Sequence, residues 1–176
     1  MGNYEDGELR YAIKEVKKSV YANKEEVEGI CDNIISFINA QGLSDIKFCF
    51  YSGKVISFIY SDAKTIYLNL YLPDLSKYND DIWRVNSGYE MLALILLHEV
   101  GHYKCGHKGR SSAQEAFQYN MCEKLKDEHE GEAWRWAFNF RKANKSLFDG
   151  IINDLKNLVK YLCKKDRIFL DLLERY

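Results

Sequence analysis

One stretch, EMLALILLHEVGHYKCGH at residues 90–107, constrains this chain more than any other. Its aliphatic run from Met91 to Leu97 reads as a core helix, and it leads without a break into His98, Glu99 and His102. Residues four apart on an α-helix are offset by about 40° around its axis, so the two imidazoles share a face and can converge on one ion. Glu99 lies off that line, where its carboxylate can approach a metal-bound water. This is the HExxH arrangement, two neutral histidine ligands beside a general base. A purely structural reading must place an uncompensated carboxylate and two histidines together at the end of an apolar helix, which is costly. The metal reading is the favoured one.

Ser87 and Glu90 have capping-box spacing and predict a helix over 88–104, with Gly106 and Gly109 available to end it. Gly101 inside the motif lowers helix propensity by about 1 kcal/mol relative to Ala, a cost acceptable where close packing leaves no room for a side chain.

Around this helix the pattern is that of an α+β domain. Ile13, Val16 and Val20, then Val27, Ile30, Ile34 and Ile38, recur at helical spacing and predict two N-terminal helices. IKFCFY, KVISFIY and TIYLNLYL are short β-branched and aromatic segments separated by turn residues, which predict two hairpins in a small antiparallel sheet. Pro73 and the polar stretch after it close the strand region. Ser112 with Glu115 and Asp127 with Glu130 repeat the capping-box spacing and predict helices over 113–125 and 128–142. An amphipathic helix is expected from Ser146 onwards, and RIFLDLLERY as a short final one.

At 176 residues, 47% hydrophobic and 29% charged, the chain suits one globular domain, 1–176, that includes the terminal helices. A net charge of -1 gives no nucleic-acid footprint, and no direct nucleic-acid contact is expected. The five cysteines, at 31, 49, 105, 122 and 163, form no CxxC pair and are odd in number, which fits a reducing, cytoplasmic setting. The first twenty residues lack a signal-peptide core and MLALILL is too short to cross a bilayer, so no membrane association is expected.

The third ligand decides the kind of site. A three-histidine site of the HExxHxxGxxH type would need glycine at 105 and histidine at 108, where this chain has Cys105 and Lys108. His107 misses that place by one residue and is left as an outer contact. A carboxylate from a second helix remains, and the segment DEHEGEAWRWAFNF supplies it. Glu132, directly before the apolar face that starts at Ala133, is favoured. Glu130, which also fits a capping role, and His129 are the alternatives.

With these residues in view, the chain resembles the ImmA/IrrE-like zinc peptidase family over roughly residues 65–137. The strand region before HEVGH and the later EGEAWRWA match that family's organisation, Trp136 and Ala137 standing at its aromatic and alanine positions. The chain departs from it at Gly106, where many members have a histidine, and at Trp134. The resemblance implies a compact gluzincin-like α+β domain in which His98, His102 and Glu132 bind Zn²⁺ and Glu99 is the catalytic base. It implies a zinc-dependent metallopeptidase acting on a protein or peptide, such as a transcriptional repressor. The alternative function is a catalytically weak or inactive metal-containing interaction module.

Overall fold

A computed structural model describes residues 20–23, 25–51, 58–60, 65–70, 85–107 and 123–165. Among them the chain is α+β. The strands are β1 (Val20–Asn23), β2 (Lys47–Tyr51), β3 (Phe58–Tyr60) and β4 (Thr65–Asn69). The helices are α1 (Asp32–Ala40), α2 (Gly88–Lys104), α3 (Glu123–Ala143) and α4 (Lys145–Lys165), and a 3-10 turn spans Glu25–Val27. No helix among the described residues is long and apolar enough to cross a membrane.

The sheet order is β1-β2-β4-β3. β1 runs antiparallel to β2 and β3 antiparallel to β4, but β2 and β4 are parallel, with Lys47 opposite Thr65 and Tyr51 opposite Asn69. The expected antiparallel sheet of two hairpins is therefore corrected to a mixed sheet in which only β3 and β4 form one of the expected pairings. The physical reason lies in burial. β4 is buried from Thr65 to Leu68 and has no solvent face, while β2 buries Phe48, Phe50 and Tyr51 with Lys47 exposed; inner positions suit such apolar runs. Val20, expected in a helix, opens β1 instead; the rest of that predicted helix lies outside the described residues.

α2 occupies 88–104 as expected. Ser87 Oγ accepts the Glu90 amide at 3.2 Å, while the Glu90 carboxylate accepts the Asn86 amide at 2.8 Å, so the reciprocal half of the cap reaches one residue further back than a capping box. Every residue from Met91 to Gly101 except Ile95 is buried. α2 packs against both α3 and α4. Leu92, Leu96, Leu97 and Val100 join Phe48, Ile66, Leu68, Ala137, Ile151 and Leu155 in a continuous core cluster.

α1 is held from a distance. Its N-cap, Cys31, makes no side-chain cap, and the buried Asp154 of α4 accepts the Ile34 amide at 3.0 Å and the Asn33 side-chain amide at 2.9 Å. A carboxylate from another helix thus satisfies an orphan donor at the positive end of α1. Phe37 of α1 also meets Phe140 of α3 edge-on, with ring centroids 4.9 Å apart.

α3 differs from expectation at its start. The capping box expected at Asp127 and Glu130 is not a helix start, because one helix runs from Glu123 to Ala143. Glu130 is therefore mid-helix and free of a capping role. α4 begins at Lys145, one residue from the expected start. The predicted helix over 113–125 falls mostly outside the described residues, and RIFLDLLERY wholly so.

Candidate metal centre

α2 and α3 cross closely at Gly101. A Cβ there would lie 2.7 Å from the Ala133 carbonyl oxygen and 3.2 Å from Ala133 Cα, both fixed backbone atoms. The glycine inside HEVGH is thus required by the crossing, and the crossing sets the acidic part of α3 against the two histidines.

His98 Nε2 and His102 Nε2 are 3.0 Å apart. The carboxylate that meets them is Glu130: Oε2 lies 3.2 Å from His98 Nε2 and Oε1 lies 3.4 Å from His102 Nε2. In place of the expected Glu132, then, it is Glu130 that the structure brings to the histidine pair. Glu132 is half exposed and faces His107, with its Oε2 2.9 Å from His107 Nε2. Helical geometry accounts for this. Glu130 and Glu132, two positions apart, are separated by about 200° around the helix axis, and Glu130, one short turn from Ala133, shares the face that contacts α2.

The donor set fits a small divalent cation. Zinc bonds of about 2.0–2.1 Å in a tetrahedron require ligand atoms about 3.3 Å apart, close to the 3.0, 3.2 and 3.4 Å observed. Two imidazoles with one carboxylate form a mixed N/O set suited to zinc among the common metals. Burial disfavours the charged form of His98, and the neighbouring His102 and His98 side chains hold the Glu130 carboxyl well below the usual carboxylate range.

The two histidines are fixed differently. His102 Nδ1 lies 3.0 Å from His107 Nδ1, so His107 sits directly behind the His102 ring. A helix-ending turn puts it there. The His107 amide bonds the His102 carbonyl at 3.0 Å and the Gly106 amide bonds the Tyr103 carbonyl at 3.1 Å, with Gly106 at φ +74°. This is a Schellman motif, and it folds His107 back beneath His102. His98 Nδ1, by contrast, is buried without a hydrogen-bond partner among the described residues. Its ring is held instead by stacking on Trp134, centroids 3.9 Å apart and planes 22° from parallel.

Glu99 is buried at 8% exposure on the same helix; burial first, and then the Glu99 charge, lifts the Tyr51 phenol above its ordinary value. His129, the remaining alternative for the third ligand, stacks on His107 at 4.1 Å. Trp134 is thus the stacking partner of His98, and Gly106 the pivot that returns His107. Helical phase is the signal that finds Glu130, since Glu130, Ala133 and Ala137 follow an i, i+3, i+7 stripe of which the two alanines are fully buried.

No protein-family model, curated protein or solved structure matches this chain.

Proposed function

We propose that the chain is a zinc-dependent endopeptidase whose metal ligands are His98, His102 and Glu130 and whose general base is Glu99. The observation that carries this reading is the convergence of both imidazole Nε2 atoms on the two oxygens of Glu130 at zinc-ligand spacing. The resemblance to ImmA/IrrE-like peptidases supports it, with the carboxylate ligand moved from Glu132 to Glu130.

Zinc, when bound, supplies a Lewis acid that lowers the pKa of water and stabilises negative charge developing on a carbonyl oxygen. The chain's own residues supply the rest. His98 and His102 each present Nε2, so each carries its proton on Nδ1. His102 donates that proton to His107 Nδ1, and His107 donates from Nε2 to Glu132, which fixes the tautomer and orientation of the ligand ring. Glu99, adjacent to His98 and largely shielded from solvent, takes a proton from the attacking water and returns it to the departing amine. The substrate is a protein or peptide, and regulated cleavage of a transcriptional repressor is the role that the resemblance suggests.

The test measures zinc retained after dialysis against a mild chelator, together with new peptide ends released from an unstructured protein such as casein. Glu130→Gln should lose most of its zinc and Glu132→Gln should keep it. Glu99→Gln should keep its zinc and lose about 10²–10⁴-fold in cleavage, the usual worth of a general base. Zinc retained by Glu130→Gln and lost by Glu132→Gln would refute the ligand assignment. A zinc-loaded wild type that cleaves no better than Glu99→Gln would point to the interaction module instead.

A further inference from the structure

A second group of metal-ligating side chains stands beside the first. The ligand atoms of Cys105, His107 and Glu132 lie within 4.8 Å of one another, with Cys105 exposed and the His107 side chain only 8% exposed. The Schellman turn at Gly106 brings Cys105 and His107 to one side of the end of α2, and α3 contributes Glu132. A thiolate, an imidazole and a carboxylate suit a borderline-soft divalent cation, whereas magnesium or calcium would require oxygen ligands throughout.

The two groups share a proton. The 3.0 Å contact between His102 Nδ1 and His107 Nδ1 has room for one hydrogen. When His102 ligates through Nε2, that hydrogen belongs to His102 Nδ1, and His107 must accept it and carry its own proton on Nε2, toward Glu132. The atom His107 would offer to a second cation is then blocked. When His107 ligates through Nε2 instead, its proton moves to Nδ1, and His102 must carry its proton on Nε2, where it cannot bind the first cation. Two neutral imidazoles can both ligate through Nε2 only by giving up this hydrogen bond.

We propose that Cys105, His107 and Glu132 form a second site for a thiophilic divalent cation, and that filling this site and filling the His98–His102–Glu130 site oppose each other through the shared His102–His107 hydrogen bond. The opposition rests on the reading of the first group as a metal site; the second group stands on its own ligands. Binding there replaces the Cys105 S–H bond with a sulfur–metal bond and releases the proton to solvent. Cys105 and Glu132 are exposed, whereas the first group is buried or half-buried, which makes this the weaker of the two sites. Antagonism makes excess cation a brake on the first site.

Cobalt(II) titration of the metal-free full-length protein tests this, because a thiolate ligand adds a sulfur-to-cobalt charge-transfer band that His and Glu ligands do not. The first equivalent should bind without that band and the second with it. Cys105→Ser should abolish the band while keeping the first equivalent. Glu130→Gln, which weakens the first site, should tighten the banded equivalent by about 5-fold or more, the lower end of ordinary coupling between sites. A band that survives Cys105→Ser, or its absence at excess cobalt, overturns the second site. A banded equivalent of the same affinity in wild type and Glu130→Gln overturns the opposition. Failure of the first-site reading looks different: the wild type would show the banded equivalent alone.

Discussion

Gly101→Ala probes the contact that makes the site. The added Cβ would lie 2.7 Å from the Ala133 carbonyl oxygen, and ordinary contact begins at 3.4 Å, so α2 and α3 must separate by about 0.7 Å at that point. Both helices are backbone-limited there and no side chain can yield. Overpacking of this kind costs about 1–3 kcal/mol, against about 1 kcal/mol gained from replacing a mid-helix glycine, so the metal-free protein should lose about 0–2 kcal/mol. Metal binding should suffer more. Ligand distances must hold within about 0.2 Å, and the displacement falls between His102, next to Gly101, and Glu130, one turn from Ala133. A loss of about 10- to 100-fold in zinc affinity is expected, comparable to removing an outer-shell partner. Gly131→Ala is the control, since its Cβ would meet nothing within 4 Å; it should stabilise the protein by up to about 1 kcal/mol and leave affinity unchanged. Competition against a zinc-binding dye and urea unfolding of the metal-free proteins measure the two quantities. Gly101→Ala with wild-type affinity and a Gly131-like gain in stability would refute the close-crossing argument.

Two further predictions concern the frame around the site. Asp154→Ala strips the Ile34 amide of its acceptor and should cost about 2–3 kcal/mol, with Asp154→Asn costing less because one acceptor oxygen remains. For a chain of this size that corresponds to a fall of roughly 4–12 °C in Tm, and a fall below 1 °C in a calorimetric scan would discount the capping role. Cys31 gives an alkaline signature. Burial, with Asp154 and Asp32 adding to it, pushes its thiol from 9.0 up to about 12. The unfolded chain therefore gives up this proton first, so the contribution is intact below pH 9.0 and is lost as pH rises toward 12, by at most about 1.4 kcal/mol per pH unit. Replacing it in Cys31→Ala should flatten the decline in urea-measured stability across that window by one proton's slope, and an unchanged slope would show that the thiol is not held protonated.

The parts of this fold that could be read in the sequence are those governed by local rules. α2 has a side-chain cap at Ser87, an aliphatic run and a C-terminal glycine, and its observed bounds of Gly88 and Lys104 match the expected ones. The sheet was legible only as strand material. β4 is buried from Thr65 to Leu68 and lacks the alternation that would mark a solvent face, and nothing local in β2 or β4 distinguishes a parallel neighbour from an antiparallel one. The start of α3 was obscured for a different reason: Asp127 and Glu130 have capping spacing, but a polar first turn and a polar mid-helix face look alike when the packing partner is unknown. The preference for Glu132 had the same origin, because a Glu130 assigned to a cap leaves Glu132 as the acid nearest the apolar face.

The segment Glu130-Gly131-Glu132 shows how one crossing divides two acids between two tasks. Gly101 admits the backbone of α3 only at Ala133, and this fixes the rotation of the helix about its axis. With Ala133 against α2, the residue three positions earlier shares the contact face and the residue one position earlier is turned away by about 100°. Glu130 therefore reaches the histidine pair, and Glu132 reaches only what lies to the side. What lies there is His107, because the Schellman turn has folded the chain back at the end of α2. A rotation of α3 that exchanged the two glutamates would drive a side chain other than that of alanine into Gly101. The glycine within the histidine motif thus selects which carboxylate meets the histidine pair, and the glycine after the helix supplies the histidine that engages the other.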